Sequence, residues 1–139
     1  MMIENGLVRI NGGRARKADL VRSGDDVTIA DWPRDTAITP EPDASLEVLF
    51  QDDALLIVNK PGGIPCHPLR AGERGTVMNA VVARHSRLAD VGDDPLESGL
   101  IHRLDNGTSG ALMIARDNET FAALRSDIRS GRIRRRYNA

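Results

Sequence analysis

From Gly99 to Gly110 the chain reads Gly-Leu-Ile-His-Arg-Leu-Asp-Asn-Gly-Thr-Ser-Gly, and the apolar run Ala111 to Ala115 follows directly. Two cations, a carboxylate, two hydroxyls and several glycines thus lie between two apolar segments, which suits a loop held rigidly between two strands. Asp105 follows apolar Leu104 and stands beside Arg103 and His102. Nearby positive charge is expected to favour its ionised form in partly desolvated surroundings, and those are the properties of a nucleophile. The same spacing also fits an ordinary connection, with Asp105 as a turn former and Arg103 as its surface ion-pair partner.

A longer pattern separates these readings. His102-Arg103-Leu104-Asp105, followed by Thr108-Ser109-Gly110, resembles the catalytic motif of the pseudouridine synthases that modify ribosomal and transfer RNA. Upstream, Asn59-Lys60-Pro61-Gly62-Gly63-Ile64-Pro65-Cys66-His67-Pro68 resembles a second segment of the same family at the expected place. The resemblance extends from Leu46 to Ala139. It departs at Asn106-Gly107, where many relatives carry a basic or bulky residue and then an acid.

The resemblance implies that Asp105 is the carboxylate nucleophile in the isomerisation of a uridine within RNA. That reaction breaks the bond from N1 to the ribose, rotates the base and joins C5 to the same sugar carbon, with no redox cofactor and no metal. The target base must leave its stack, so compensating contacts are needed. By the same resemblance Arg103 lies against the RNA near the vacated stack, and Tyr137 is the aromatic residue that packs on the flipped base. His102 shapes the loop or touches RNA, while Thr108 and Ser109 brace the loop with their hydroxyls.

The elements that must position these residues can be read along the chain. Gly6 to Gly13 reads as a short strand entering an Asn-Gly turn, and Asp26 to Ala30 as a returning strand. This segment resembles the second half of an S-four-like RNA-binding domain, which makes residues 1–30 a partial RNA-binding module with Arg14, Arg16 and Lys17 as its RNA contacts. Residues 31–45, with Pro33, Pro40 and Pro42, read as a linker. Leu46 to Phe50 alternates like a half-buried strand, and Leu55 to Val58 reads as a fully apolar strand leading to Lys60. Prolines and glycines from Pro61 to Pro68 then forbid regular structure. Lys60 and His67 alone fit a surface lysine and a loop histidine, and neither is assigned a catalytic role.

Thr76 to Leu88 fits a helix capped by Thr76, with Val77, Ala80, Val81 and Arg84 near one face. Asp117 to Ser130 fits a second, with an apolar stripe of Phe121, Leu124 and Ile128 and a stop at Gly131. Arg132 to Ala139 reads as a basic strand. Family members continue well beyond this point, so residues 46–139 are expected to form the amino-terminal part of an incomplete catalytic domain. The fold class expected from the resemblance is α+β with a mixed, mostly antiparallel sheet.

Composition sets the outer bounds. Hydrophobic residues make up 40% of the 139 residues and charged ones 28%, which describes a globular chain with enough apolar content for a core. Aromatic residues are only 3%, so the core must be aliphatic and base-stacking platforms are few. A single cysteine excludes an internal disulfide framework and fits a reducing compartment. With no long apolar segment and no basic and apolar leader at the start, the expectation is a cytoplasmic monomer without a membrane partner. The net charge of −1 hides two basic clusters, one from Arg9 to Arg22 and one from Arg125 to Arg136, each able to meet RNA phosphate. Neither the acids from Asp90 to Glu97 nor the set Cys66, His67, His85 and His102 has metal-ligand spacing, and no metal is assigned. Two other classes compete with the isomerase. A non-catalytic RNA-binding fragment is the alternative, and a phosphatase of the haloacid-dehalogenase type is rejected because Gly107 stands where its second acid belongs.

Overall fold

The computed structural model describes residue 3, residues 6–29 and residues 37–138. The chain divides into two compact units, Met1–Arg34 and Asp35–Ala139.

In the first unit, Asn11 (φ 51°) and Gly12 (φ 80°) form the tight turn read from the sequence, since both take left-handed conformations that Asn and Gly tolerate best. The turn joins β1 (Val8–Ile10) to the short β2 (Gly13–Arg14). The returning strand is β3 (Val27–Ile29), antiparallel to β1 on its other side, so the sheet order is β2-β1-β3. Asn11 ties the two ends together, its amide donating to Asp25 Oδ1 at 2.8 Å and its carbonyl oxygen accepting the Asp26 N–H at 2.9 Å. Ala30, expected as the end of that strand, lies outside the described residues.

The second unit is built on an antiparallel sheet of order β4-β5-β6, comprising β4 (Glu47–Gln51), β5 (Leu55–Lys60) and β6 (Gly110–Ala115). β5 is central. It forms where the apolar run predicts a strand leading to Lys60, burying Leu56, Val58 and Lys60 on one face and leaving the alternate residues half-buried. β4 differs from expectation: all five residues are exposed, because it lies at the sheet edge, bonded only to β5, with a register shift between Val48 and Phe50.

Helix α1 (Val77–Arg84) begins where the sequence places it. Thr76 Oγ1 accepts the Asn79 N–H while the Asn79 side chain accepts the Thr76 N–H, a reciprocal cap that satisfies two otherwise orphaned donors. The helix ends earlier than Leu88, and a 3-10 turn over Ser86–Asp90 takes its place. Helix α2 (Asn118–Arg129) is capped by Asp117, whose carboxylate accepts the Thr120 N–H at 2.7 Å. Val77, Met78, Val81 and Val82 of α1, Leu56, Val58, Leu112 and Ile114 of the sheet, and Phe121 of α2 pack into one largely aliphatic core.

Two further expectations change. Residues 31–36 of the expected linker lie outside the described residues, but beyond them the chain is packed, not free. Ile38 is buried in the core, and the Asn79 side chain donates to the Thr39 carbonyl at 2.7 Å. Arg132–Asn138 is not a strand. The N–H groups of Arg132 and Ile133 both turn back to the Asp127 carbonyl, at 2.9 and 3.3 Å, and so are spent on closing α2.

Candidate functional site

The Asp105 loop is closed by short backbone contacts on both sides. Ala115 N–H donates to the Gly99 carbonyl at 2.8 Å and Ile101 N–H to the Met113 carbonyl at 3.0 Å, so residues 99–101 run antiparallel to β6 through a bridge at Leu100 and Ile114. The loop is therefore held between β6 and this shorter paired segment. At its tip the Thr108 N–H donates to the Asp105 carbonyl at 3.0 Å and closes a tight turn over Asp105-Asn106-Gly107-Thr108.

A residue that sequence alone left without a role fixes that turn. Lys60, at the end of β5, is fully buried. Its Nζ donates to the carbonyl oxygens of Pro61 at 3.0 Å, Asn106 at 2.9 Å and Thr108 at 2.8 Å, which satisfies all three ammonium protons. The Gly63 N–H adds a bond to the same Asn106 carbonyl at 2.8 Å. Cys66 serves the other arm of the loop: its Sγ lies 3.2 Å from the Leu104 carbonyl and 3.3 Å from the Leu104 N–H. The upstream Pro/Gly-rich segment is thus the cradle of the Asp105 turn. The signal in the sequence was Lys60 at the end of an otherwise apolar strand, where a buried ammonium requires carbonyl partners from elsewhere in the chain.

Asp105 itself is exposed, and among the described residues it forms no ion pair. This geometry corrects the partial desolvation expected at Asp105 and also removes the Arg103 ion pair that the ordinary-connection alternative supposed. Arg103 turns instead to Glu97, with NH1 3.4 Å from Oε1. The same Glu97 oxygen lies 3.6 Å from Nε2 of His67, whose Nδ1 donates to the Pro68 carbonyl at 2.8 Å. Glu97, considered in the sequence only as one of a cluster of acids, therefore links the two motifs.

Beside the turn opens a cavity of about 240 Å³, lined by His102, Leu104, Ser109, Met113, Tyr137 and the three arginines 134–136, among others. Asp105 and Arg103 are not among its lining residues. His102 Nε2 accepts the Met113 N–H at 3.3 Å, which puts the proton of the neutral ring on Nδ1, a buried atom with no hydrogen-bond partner among the described residues. Burial pushes this imidazole below its ordinary range, and the charge of Arg135 acts in the same direction. His102 is accordingly a neutral wall of the cavity. Thr108 and Ser109 brace the loop less than expected from their hydroxyls, since the backbone carbonyl of Thr108 makes the contact to Lys60.

In the first unit Arg14, Arg16 and Lys17 line a depression of about 440 Å³ together with Ile3 and Ala15. Among the described residues no group of three or more His, Cys, Asp or Glu side chains could hold a metal ion, and no helix is long and apolar enough to cross a membrane.

Residues 54–139 match the family model described as RNA pseudouridylate synthase. Similar proteins include the ribosomal large subunit pseudouridine synthase D of Xylella fastidiosa, 33% identical over 99% of this chain and 40% of its own length. Another is the uncharacterized RNA pseudouridine synthase YlyB of Bacillus subtilis, 28% identical over 99% of this chain and 45% of its own length. Among solved structures, Human RNA Pseudouridylate Synthase Domain Containing 4 is similar with a TM-score of 0.45 and 27% identity, covering 62% of this chain and 30% of that one. The chain thus spans less than half the length of these curated relatives. With more than half of its residues matched by the family model, the chain belongs to the RNA pseudouridylate synthase family.

Proposed function

We propose that the protein isomerises uridine to pseudouridine in ribosomal or transfer RNA, with Asp105 as the nucleophile. The observation that carries this reading is the clamped turn: Lys60 holds the Asn106 and Thr108 carbonyls, and the adjoining Asp105 carboxylate stays open to solvent beside a cavity rimmed by arginines. A carboxylate on a preorganised turn can attack without first reorganising its surroundings. The cavity supplies an aromatic face in Tyr137 and cations in Arg134, Arg135 and Arg136, which suit a base lifted from its stack and the phosphates flanking it. Arg103, more than half exposed and held by a weak surface pair, is free to exchange Glu97 for RNA. His102 acts by shape. No step of this chemistry calls on a metal or a redox cofactor.

The relatives named ribosomal large subunit pseudouridine synthase D favour ribosomal RNA as substrate, and the single cysteine fits a reducing, cytoplasmic setting. The basic depression of Arg14, Arg16 and Lys17 supports a partial S-four-like grip on RNA, working as part of a monomer. The test is release of tritium from RNA labelled at C5 of uridine. Turnover is expected from the parent protein, with a fall of roughly 10³-fold or more in Asp105→Ala. RNA retained without any tritium release by the parent protein would return the assignment to a non-catalytic RNA-binding fragment.

A further inference from the structure

A larger cavity, of about 540 Å³, opens where the end of α1 faces the start of β5 and the end of β6. Arg84, His85, Arg87 and Arg116 line it, and Asp53 is the one carboxylate among its lining residues. The guanidinium of Arg84 is tethered by neutral oxygens: it donates to the carbonyls of Ala80 at 3.0 Å, Pro42 at 3.1 Å and Ala44 at 2.7 Å. Arg116 likewise donates to the Asp52 carbonyl. Such bonds hold the cationic heads in place without cancelling their charge. Among the described residues, none of Arg84, Arg87 and Arg116 forms an ion pair with a carboxylate. The half-buried His85 between them is pushed below its ordinary range by burial and then by the charges of Arg116 and Arg84, so the positive charge converges on the space inside.

We infer that this cavity is a phosphate site that grips the RNA backbone at the end of the sheet opposite the Asp105 loop. β5 and β6 pair Leu55 with Ala115 at this end and Lys60 with Gly110 at the other. At about 3.3 Å per residue, the two sites are on the order of 20 Å apart. Guanidinium forks match phosphate oxygens in geometry, and contacts of this kind fix register along an RNA without reading its bases. The inference rests on the RNA reading above for its ligand, but not on turnover.

Two measurements on the intact protein test it. Inorganic phosphate should shift the His85 ring resonances saturably, and Arg87→Gln, which removes a guanidinium with no hydrogen bond of its own among the described residues, should weaken that response. In RNA binding, the slope of log affinity against log salt should fall by a little under 1 in Arg87→Gln and by roughly twice that in Arg87→Gln with Arg116→Gln, while tritium release at saturating RNA stays unchanged. His85 signals indifferent to phosphate overturn the site. So does a phosphate response with an unchanged RNA slope, which would mark a pocket for the free anion only. A protein that turns over with an unaltered slope loses this site and keeps its isomerase reading. One that shows an Arg87-dependent slope but releases no tritium loses the isomerase reading and keeps the site.

Discussion

The ammonium of Lys60 donates to the carbonyl oxygen of Thr108 at 2.8 Å, a bond that spans 48 residues of sequence and makes one rigid body of two separate loops. Lys60 is fully buried with no carboxylate partner among the described residues; its charge is stabilised by the dipoles of three carbonyls, two of them in the turn that begins at Asp105. The position of Asp105, the proposed nucleophile, is therefore set from β5, outside its own loop.

Replacing Lys60 by Met keeps an unbranched side chain, one atom shorter, and leaves those carbonyls without their donor. A loss of roughly 2–5 kcal/mol is expected from urea unfolding, because buried acceptors lose their partners together. In the folded fraction, amide exchange at Thr108 and Gly63 should speed up relative to exchange within α2, which is remote from the clamp. Unchanged exchange at both amides would show that the turn holds itself.

Glu97 holds Arg103 at 3.4 Å, so under the proposed function it competes with RNA for that guanidinium. Exposed pairs of this kind contribute about 0–1 kcal/mol, so Glu97→Gln should raise RNA affinity by up to about fivefold at low salt. The gain should fade as salt screens the carboxylate. Titration of labelled RNA at two ionic strengths reads both effects, and a weaker complex in the variant would mean that Glu97 orients Arg103 instead of restraining it.

His102 has a folded-state pKa below its ordinary value, so the unfolded chain binds its proton more readily than the folded one. Stability is complete above the ordinary histidine range and falls as pH drops through it toward the lower folded value. His85 is shifted in the same direction and adds to the trend. Urea midpoints measured between pH 7.5 and 5.5 should fall with acid. His102→Gln, which retains an acceptor for the Met113 N–H, should flatten part of that slope.

Gly99 has φ +80°, and a Cβ built on it would stand 2.4 Å from the Ala115 carbonyl oxygen. Gly99→Ala therefore meets both a disfavoured conformation and a backbone clash at the base of the Asp105 loop. A loss on the order of 2–4 kcal/mol is expected, visible as a lower thermal midpoint. Gly107→Ala, where a Cβ would meet nothing within 4 Å, is the matched control and should change little.

Local rules carried far in this chain because several elements depend on near neighbours. Asn11-Gly12 demanded a two-residue turn, Thr76 and Asn79 close a reciprocal cap three residues apart, and Gly131 ends α2. The order of residues 102–110 and 59–68 was likewise enough to mark the Asp105 loop and its upstream partner before any contact between them was known. What sequence could not convey is where charges settle once the chain closes on itself. Lys60 reads as a surface residue until β5 puts it on the buried face, and Arg103 reads as the partner of Asp105 until Glu97 arrives beside it from the loop before. The basic tail after Arg132 reads as a strand, yet its first two N–H groups are taken by Asp127. Turns and caps follow from the residues a few places away; the partner of a buried or mobile charge is decided by the competition among donors and acceptors that only the closed fold brings within reach.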